Sequence, residues 1–108
     1  MNRGDIYWVS LDPTKGREQQ GNRPVLIVSA SAFNQATKLP IVCPITNHGA
    51  FARRLGFSVA LEGCKTSGIV RCDQPRVLDL AQRNGQKVES VSKEIMEDVL
   101  AKITVLFE

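Results

Sequence analysis

Histidine is nearly missing from this sequence: His48 is the only one, and tryptophan and tyrosine also occur once each among 108 residues. A zinc site draws on several His or Cys ligands at short spacings, and Cys43, Cys64 and Cys72 contain no Cys-x-x-Cys pair. The odd cysteine count argues against a disulfide framework. Cys43 and Cys72 lie inside apolar, strand-like runs, which predicts reduced thiols with these two in the core. No apolar stretch approaches the ~20 residues of a membrane span. The start, Met1 to Asp5, has no apolar signal region. The sequence therefore predicts a soluble, unexported, cytoplasmic chain that contacts no membrane. The lack of Gly-x-Ser-x-Gly, of a P-loop and of Gly-x-Gly-x-x-Gly argues against hydrolase-fold esterases and the common nucleotide-binding enzymes.

What is present is ordinary globular material, with 43% hydrophobic and 23% charged residues. A chain of this length supports one core, which predicts a single domain over residues 1–108. The net charge of +3 is unevenly spread, with 12 basic and 6 acidic residues over 1–88 against 2 and 5 over 89–108. A basic body suits a polyanion such as RNA or DNA, through phosphate neutralisation and counterion release.

The patterning predicts mainly β structure. Ile6 to Leu11 is rich in β-formers and stops at Asp12-Pro13. Thr14 to Arg23 has no hydrophobic residue and reads as a solvent-facing loop. Pro24 to Ser29 is a continuous apolar run, expected of a strand buried on both faces. Ser31 to Gln35 reads as one helical turn. Leu39 to Thr46 reads as a strand, and its prolines at 40 and 44 predict an irregular or edge position. Phe57, Val59 and Leu61 alternate as in a half-buried strand. Gly68 to Asp73 and Val77 to Leu80 read as further strands, and Gln82 to Lys87 as a polar turn. From Ser92, the apolar residues Ile95, Met96, Val99, Leu100 and Ile103 recur at helical spacing behind a capping serine, which predicts a C-terminal amphipathic helix. Short strands closed by one helix predict a small, curved antiparallel sheet of the SH3-like barrel kind.

Arg71 and Asp73 stand two apart in a predicted strand, which sends both side chains to one face while Val70 and Cys72 pack on the other. Cutting RNA through its own 2′-hydroxyl needs a base, an acid for the departing 5′-oxygen, and a cation beside the developing charge. A carboxylate among arginines meets that need without metal or cofactor, provided the groups converge in one water-accessible pocket. In the polar loop, Lys15, Arg17 and Arg23 are candidate phosphate partners, and Gln19 and Gln20 candidate readers of base edges. Thr46, at a predicted strand end, can offer a hydroxyl to a phosphate. Trp8, Phe33, Phe51 and Phe57 are candidates for base stacking, but so small a domain is expected to bury at least three of the four.

Seven motifs occur together and in order. They are Arg3-Gly4-Asp5-Ile6, Asp12-Pro13-Thr14-Lys15-Gly16, Glu18-Gln19-Gln20-Gly21, Arg23-Pro24-Val25-Leu26-Ile27-Val28, Pro44-Ile45-Thr46, Phe51-Ala52-Arg53 and Gly68-Ile69-Val70-Arg71-Cys72-Asp73-Gln74-Pro75-Arg76. Across nearly its whole length the chain resembles the PemK/Kid/MazF toxins, the PemK/Kid branch most of all. The resemblance implies the toxin half of a type II toxin–antitoxin module, a homodimer of SH3-like barrels. It further implies a ribosome-independent, metal-independent endoribonuclease that cuts single-stranded mRNA at short sequences and leaves a 2′,3′-cyclic phosphate and a 5′-hydroxyl. It implies an antitoxin partner, with operator DNA bound only together with that antitoxin. By the same resemblance Asp73 is the base and Arg71 the acid or charge stabiliser, Arg23 and Thr46 are also catalytic, and Asp5, Glu18 and Ser67 line the RNA pocket.

The chain departs from those relatives in three places. Arg17 replaces a histidine or serine and, always protonated, can clamp phosphate but cannot act as a base. Asp5 replaces a glutamate, and Leu55 a smaller residue. A competing expectation is a toxin of similar fold that poisons DNA gyrase without nuclease chemistry; it has no need of Arg71 and Asp73.

Overall fold

The computed structural model describes residues 1–10, 21–47 and 50–108. In chain order the elements are β1 (Asp5–Ser10), β2 (Asn22–Ile27), α1 (Ser31–Thr37), β3 (Ile41–Thr46), α2 (Ala50–Leu55), β4 (Ser58–Ala60), β5 (Ile69–Arg71), β6 (Arg76–Val77), β7 (Gln86–Ser90) and α3 (Lys93–Val105). The strands form one antiparallel sheet in the order β4-β5-β3-β2-β1-β7, with β6 also paired to β3.

The apolar run in β2 is buried on both faces because the sheet carries a hydrophobic cluster on each side. Leu26 joins Ile6, Cys43, Ile45, Val70 and Cys72 on one face, where Met96 and Val99 of α3 cover them. Val25 and Ile27 join Val9, Val42, Leu78 and Leu80 on the other. Burying such side chains stabilises by roughly 1.5–3 kcal/mol each. The C-terminal helix forms as its spacing predicts, and the Ser92 hydroxyl accepts a hydrogen bond from the Ile95 N–H at 3.2 Å. Cys43 and Cys72 are buried, free thiols, and burial pushes them up to about 12 and about 11.

Several expectations need correction. Of the irregular or edge position expected for β3, only the edge fails: the strand is central, pairing with β2 on one side, and on the other with β6 and then β5. Pro44 falls where that second partner changes, between the β6 register at Ile41 and Val42 and the β5 register at Ile45 and Thr46, so its missing N–H coincides with a break already in the ladder. Arg23 belongs to β2, opposite Val9, and not to the preceding loop. The stretch read as a polar turn contains the start of β7, which pairs with β1. Helix α1 is longer than one turn, and α2 had no counterpart in the sequence reading. Strand β5 ends at Arg71, which leaves Asp73 in the following turn, closed by the Gln74 N–H to the Arg71 carbonyl at 3.2 Å. Trp8 and Phe33 are each 42% exposed, against the expectation that at least three of four large aromatics are buried. Branched aliphatic residues, with Cys43, Cys72 and Met96 on one face, fill both clusters without them.

Candidate active site

Trp8 and Pro24 face each other across the β1–β2 ladder and extend the rows of Ile6 and Leu26 by one strand period. Beyond that core, the same face opens into a cavity of about 1290 Å³. That is larger than the ~300–1,000 Å³ of a typical small-molecule cleft. β1 and β2 contribute Trp8, Ser10, Asn22 and Arg23, and the end of β3 contributes Ile45, Thr46 and Asn47. The β4–β5 loop adds Lys65, Thr66 and Ser67, and the β7 side adds Asn84, Gln86 and Val88. Among the described lining residues the ionic side chains are Arg23 and Lys65, both cations, and none is a carboxylate. Hydroxyls and carboxamides make up much of the remaining wall.

Thr46 and Ser67 come together because Gly68 lets two backbones approach. Gly68 has φ +122°, and a Cβ there would lie 2.8 Å from the Thr46 carbonyl oxygen. The contact it permits is with the end of β3.

Arg71 and Asp73 form a two-bond ion pair. The Arg71 Nε donates to one Asp73 oxygen at 2.9 Å and a terminal nitrogen donates to the other at 2.8 Å. The side chains are 18% and 22% exposed, so the pair is half-buried and not a fully solvated surface contact. The Arg71 hydrogen bonds hold the Asp73 carboxyl below its ordinary value, and the Asp73 carboxylate raises Arg71. This pair does not line the cavity. Val70 lies opposite Ile45 and packs into the core with Cys72, so Arg71 leaves from the other face of β5, the side of Ile69 and its partner Thr46. Within one chain the four catalytic candidates therefore form two groups, Arg23 with Thr46 in the cavity and Arg71 with Asp73 outside it.

Asp5 is 4% exposed and is not a lining residue. It accepts hydrogen bonds from the Asn2 N–H at 3.0 Å and the Ser90 hydroxyl at 2.9 Å, and lies 3.6 Å from Lys87. These contacts fasten the chain start to β7. Lys15, Arg17, Glu18, Gln19 and Gln20, like His48, lie outside the described residues. Among the described residues, no three His, Cys, Asp or Glu side chains come together as a set of metal ligands, and no helix is long and apolar enough to cross a membrane.

The sequence reading did not single out Glu89. Its carboxylate accepts from the Lys65 N–H at 3.1 Å, the Thr66 N–H at 2.7 Å and the Thr66 hydroxyl at 2.7 Å. Burial raises its pKa, but the three hydrogen bonds and the Lys65 charge outweigh that and hold it below the ordinary value. A lone acid more than twenty residues from its partners carries no motif, so nothing local in the sequence could have revealed it.

A family model described as PemK-like, MazF-like toxin of type II toxin-antitoxin system matches residues 2–107. The chain is 53% identical to the Endoribonuclease PemK of Escherichia coli, over 98% of this chain and 81% of that protein. It is 41% identical to the Endoribonuclease toxin ChpB of Escherichia coli (strain K12), over 100% of this chain and 95% of that one. A crystal structure of MazE-MazF from Deinococcus radiodurans superposes with a TM-score of 0.87 at 30% identity, over 98% of this chain and 94% of its own.

Proposed function

The chain belongs to the PemK-like, MazF-like toxins of type II toxin–antitoxin systems, and from that membership we propose that it cuts single-stranded mRNA by attack of the ribose 2′-hydroxyl on the adjacent phosphate. It is a toxin endoribonuclease, as its relatives PemK and ChpB are, and its protein partner is an antitoxin. One observation carries the RNA reading: a wide, open cavity whose described lining combines two cations, an exposed tryptophan, hydroxyls and carboxamides with no carboxylate. Cations neutralise phosphates, an indole offers a stacking surface, and carboxamides can read base edges. A gyrase poison has no need of such a lining.

In this reading Arg23 and Lys65 hold phosphate, Thr46 and Ser67 donate hydroxyl hydrogens to phosphate oxygens, and Trp8 stacks a base. Lys15, Arg17, Glu18, Gln19 and Gln20 extend the RNA contacts along the segment before β2, and Asp5 supports the site by fastening β7. By family likeness Asp73 takes the 2′-hydroxyl proton and Arg71 stabilises the developing phosphorane charge or protonates the leaving 5′-oxygen. Because this pair does not line the cavity of its own chain, the assignment requires the bound strand to run on from the cavity to the Arg71–Asp73 pair. Both Asp73 oxygens are engaged by Arg71, so the base step requires one of them to be released as substrate enters. The protein works in the cytoplasm as a homodimer of single-domain chains spanning residues 1–108, and meets operator DNA only together with the antitoxin.

The test is to incubate the purified chain with a defined single-stranded RNA and map both new ends. The expected products carry a 2′,3′-cyclic phosphate and a 5′-hydroxyl, at a short recurrent sequence and with EDTA present. A folded Asp73→Ala variant is expected to lose at least about a hundredfold in rate, in the range of a lost general base. Intact RNA in the presence of protein that still arrests growth would overturn the nuclease reading. Undiminished cutting by Asp73→Ala would overturn the base assignment alone.

A further inference from the structure

The sheet is open among the described residues: β4 and β7 are its two outer strands, and no ladder joins them. Glu89 crosses that opening. It sits on β7, opposite Ile6 of β1, and its carboxylate engages the loop that follows β4 through two successive backbone N–H groups and the Thr66 hydroxyl. The loop residues Lys65, Thr66 and Ser67 form one wall of the cavity, and Gln86 and Val88, on the same strand as Glu89, form part of another. The carboxylate thus joins two walls that no strand pairing connects.

We propose that Glu89 is a positioning residue for RNA, whose carboxylate pins the Lys65–Thr66 backbone to β7 and so fixes where Lys65 and Ser67 meet the substrate. The proposal rests on the RNA reading of the cavity. Glu89 does not line the cavity and takes no part in the chemical step. A charged acceptor suits the task because hydrogen bonds to an ionised group are roughly twice as strong as neutral ones. A carboxamide at this position keeps a single acceptor oxygen and turns an NH₂ toward backbone N–H groups, which are themselves donors. The loop then loses its anchor while the clusters around Ile6 and Val9 remain packed.

The experiment compares the full-length chain with Glu89→Gln and Thr66→Val. Amide hydrogen exchange at Lys65 and Thr66 reports the anchor directly. Affinity for a 2′-O-methyl single-stranded oligonucleotide, which cannot be cut, reports positioning, and steady-state cleavage separates KM from kcat. Glu89→Gln is expected to exchange these two amides at least about tenfold faster and to raise KM and the oligonucleotide Kd about tenfold. Its kcat is expected to stay within about twofold of the parent. Thr66→Val, which removes only the hydroxyl, is expected to raise KM by about two- to threefold with both amides still protected. Unchanged exchange and KM in folded Glu89→Gln, or a loss confined to kcat, would overturn the proposal. If Glu89→Gln fails to fold, Thr66→Val decides, and an unchanged KM there overturns it. Failure of the parent chain to bind or cut RNA defeats the RNA reading instead, while the exchange data still report the anchor.

Discussion

Trp8 lies in a strand whose neighbours Ile6 and Val9 are fully buried, yet it is 42% exposed and lines the cavity. An indole left in water in the middle of a core strand has an unused stacking face, and base–aromatic stacking is worth ~1–3 kcal/mol per base. Trp8→Ala is expected to weaken binding of an uncuttable single-stranded oligonucleotide about tenfold, and Trp8→Phe much less. Because the chain has one tryptophan, intrinsic fluorescence of the unaltered protein reads the same contact. Quenching on titration supports stacking, and an unchanged spectrum at saturating RNA would refute it. A second expectation at this scale concerns acid stability. The Asp73 pKa is depressed in the folded chain by the Arg71 hydrogen bonds, from an ordinary value of 3.8. The pair's stabilisation is therefore fully present above that unfolded value, and is lost as pH falls through the lower folded value. Urea denaturation should show the parent more stable than Asp73→Asn by at most about 1 kcal/mol near neutrality, with the difference shrinking toward zero below pH ~3. A difference that grows in acid would show that another group dominates.

Among the elements, the junction of β3 with the loop before β5 is the most sensitive to a small change. Gly68 occupies a left-handed conformation and its missing side chain leaves room for the Thr46 carbonyl, so Gly68→Ala imposes both backbone strain and a clash. It is expected to destabilise by about 1–3 kcal/mol and to reduce RNA cutting further, by separating Thr46 from Ser67. Thermal unfolding and cleavage rate check the two effects separately; a neutral variant would mean that β3 shifts freely. Elements that pack an apolar stripe were legible in the sequence. The β2 run, the alternation around Val59 and the helical spacing of α3 all reflect burial, which fixes residue type. β7 was missed because it has an exposed, polar face and a single valine in Gln86–Ser90, so no period of two marks it; only its ladder to β1 makes it a strand. Of the two positions that the prolines of β3 predict, irregular or edge, the irregular one holds, since Pro44 coincides with an exchange of partners. The site was legible as residue types but not as an arrangement. The sequence placed Arg71 and Asp73 on one face, and they do pair. Whether that face is also the cavity's depends on how β5 registers against β3, which no local pattern specifies.

At the scale of the whole molecule the uneven charge becomes geometry. The basic residues outnumber the acidic ones over 1–88 and the balance reverses over 89–108. Among the described residues, no side chain of the C-terminal helix lines the cavity, whereas Arg23 and Lys65 do. A polyanion approaching this surface meets positive charge at the cavity, which favours docking there before any contact is made. Each phosphate neutralised on a single strand releases counterions and contributes about −0.7 to the slope of log affinity against log salt. Two contacts, from Arg23 and Lys65 alone, set a minimum slope of about −1.4, so affinity for an uncuttable single strand should fall at least about sevenfold between ~50 and ~200 mM salt. Any further contact from Lys15 or Arg17 steepens the slope by a similar increment. Arg23→Gln should make the slope shallower by about 0.7 while lowering affinity for all sequences alike, since a phosphate contact carries no base information. Fluorescence anisotropy across a salt series measures both quantities. A slope near zero in the parent chain would show that the basic body is solvated surface, and that the RNA is held by stacking and hydrogen bonds alone.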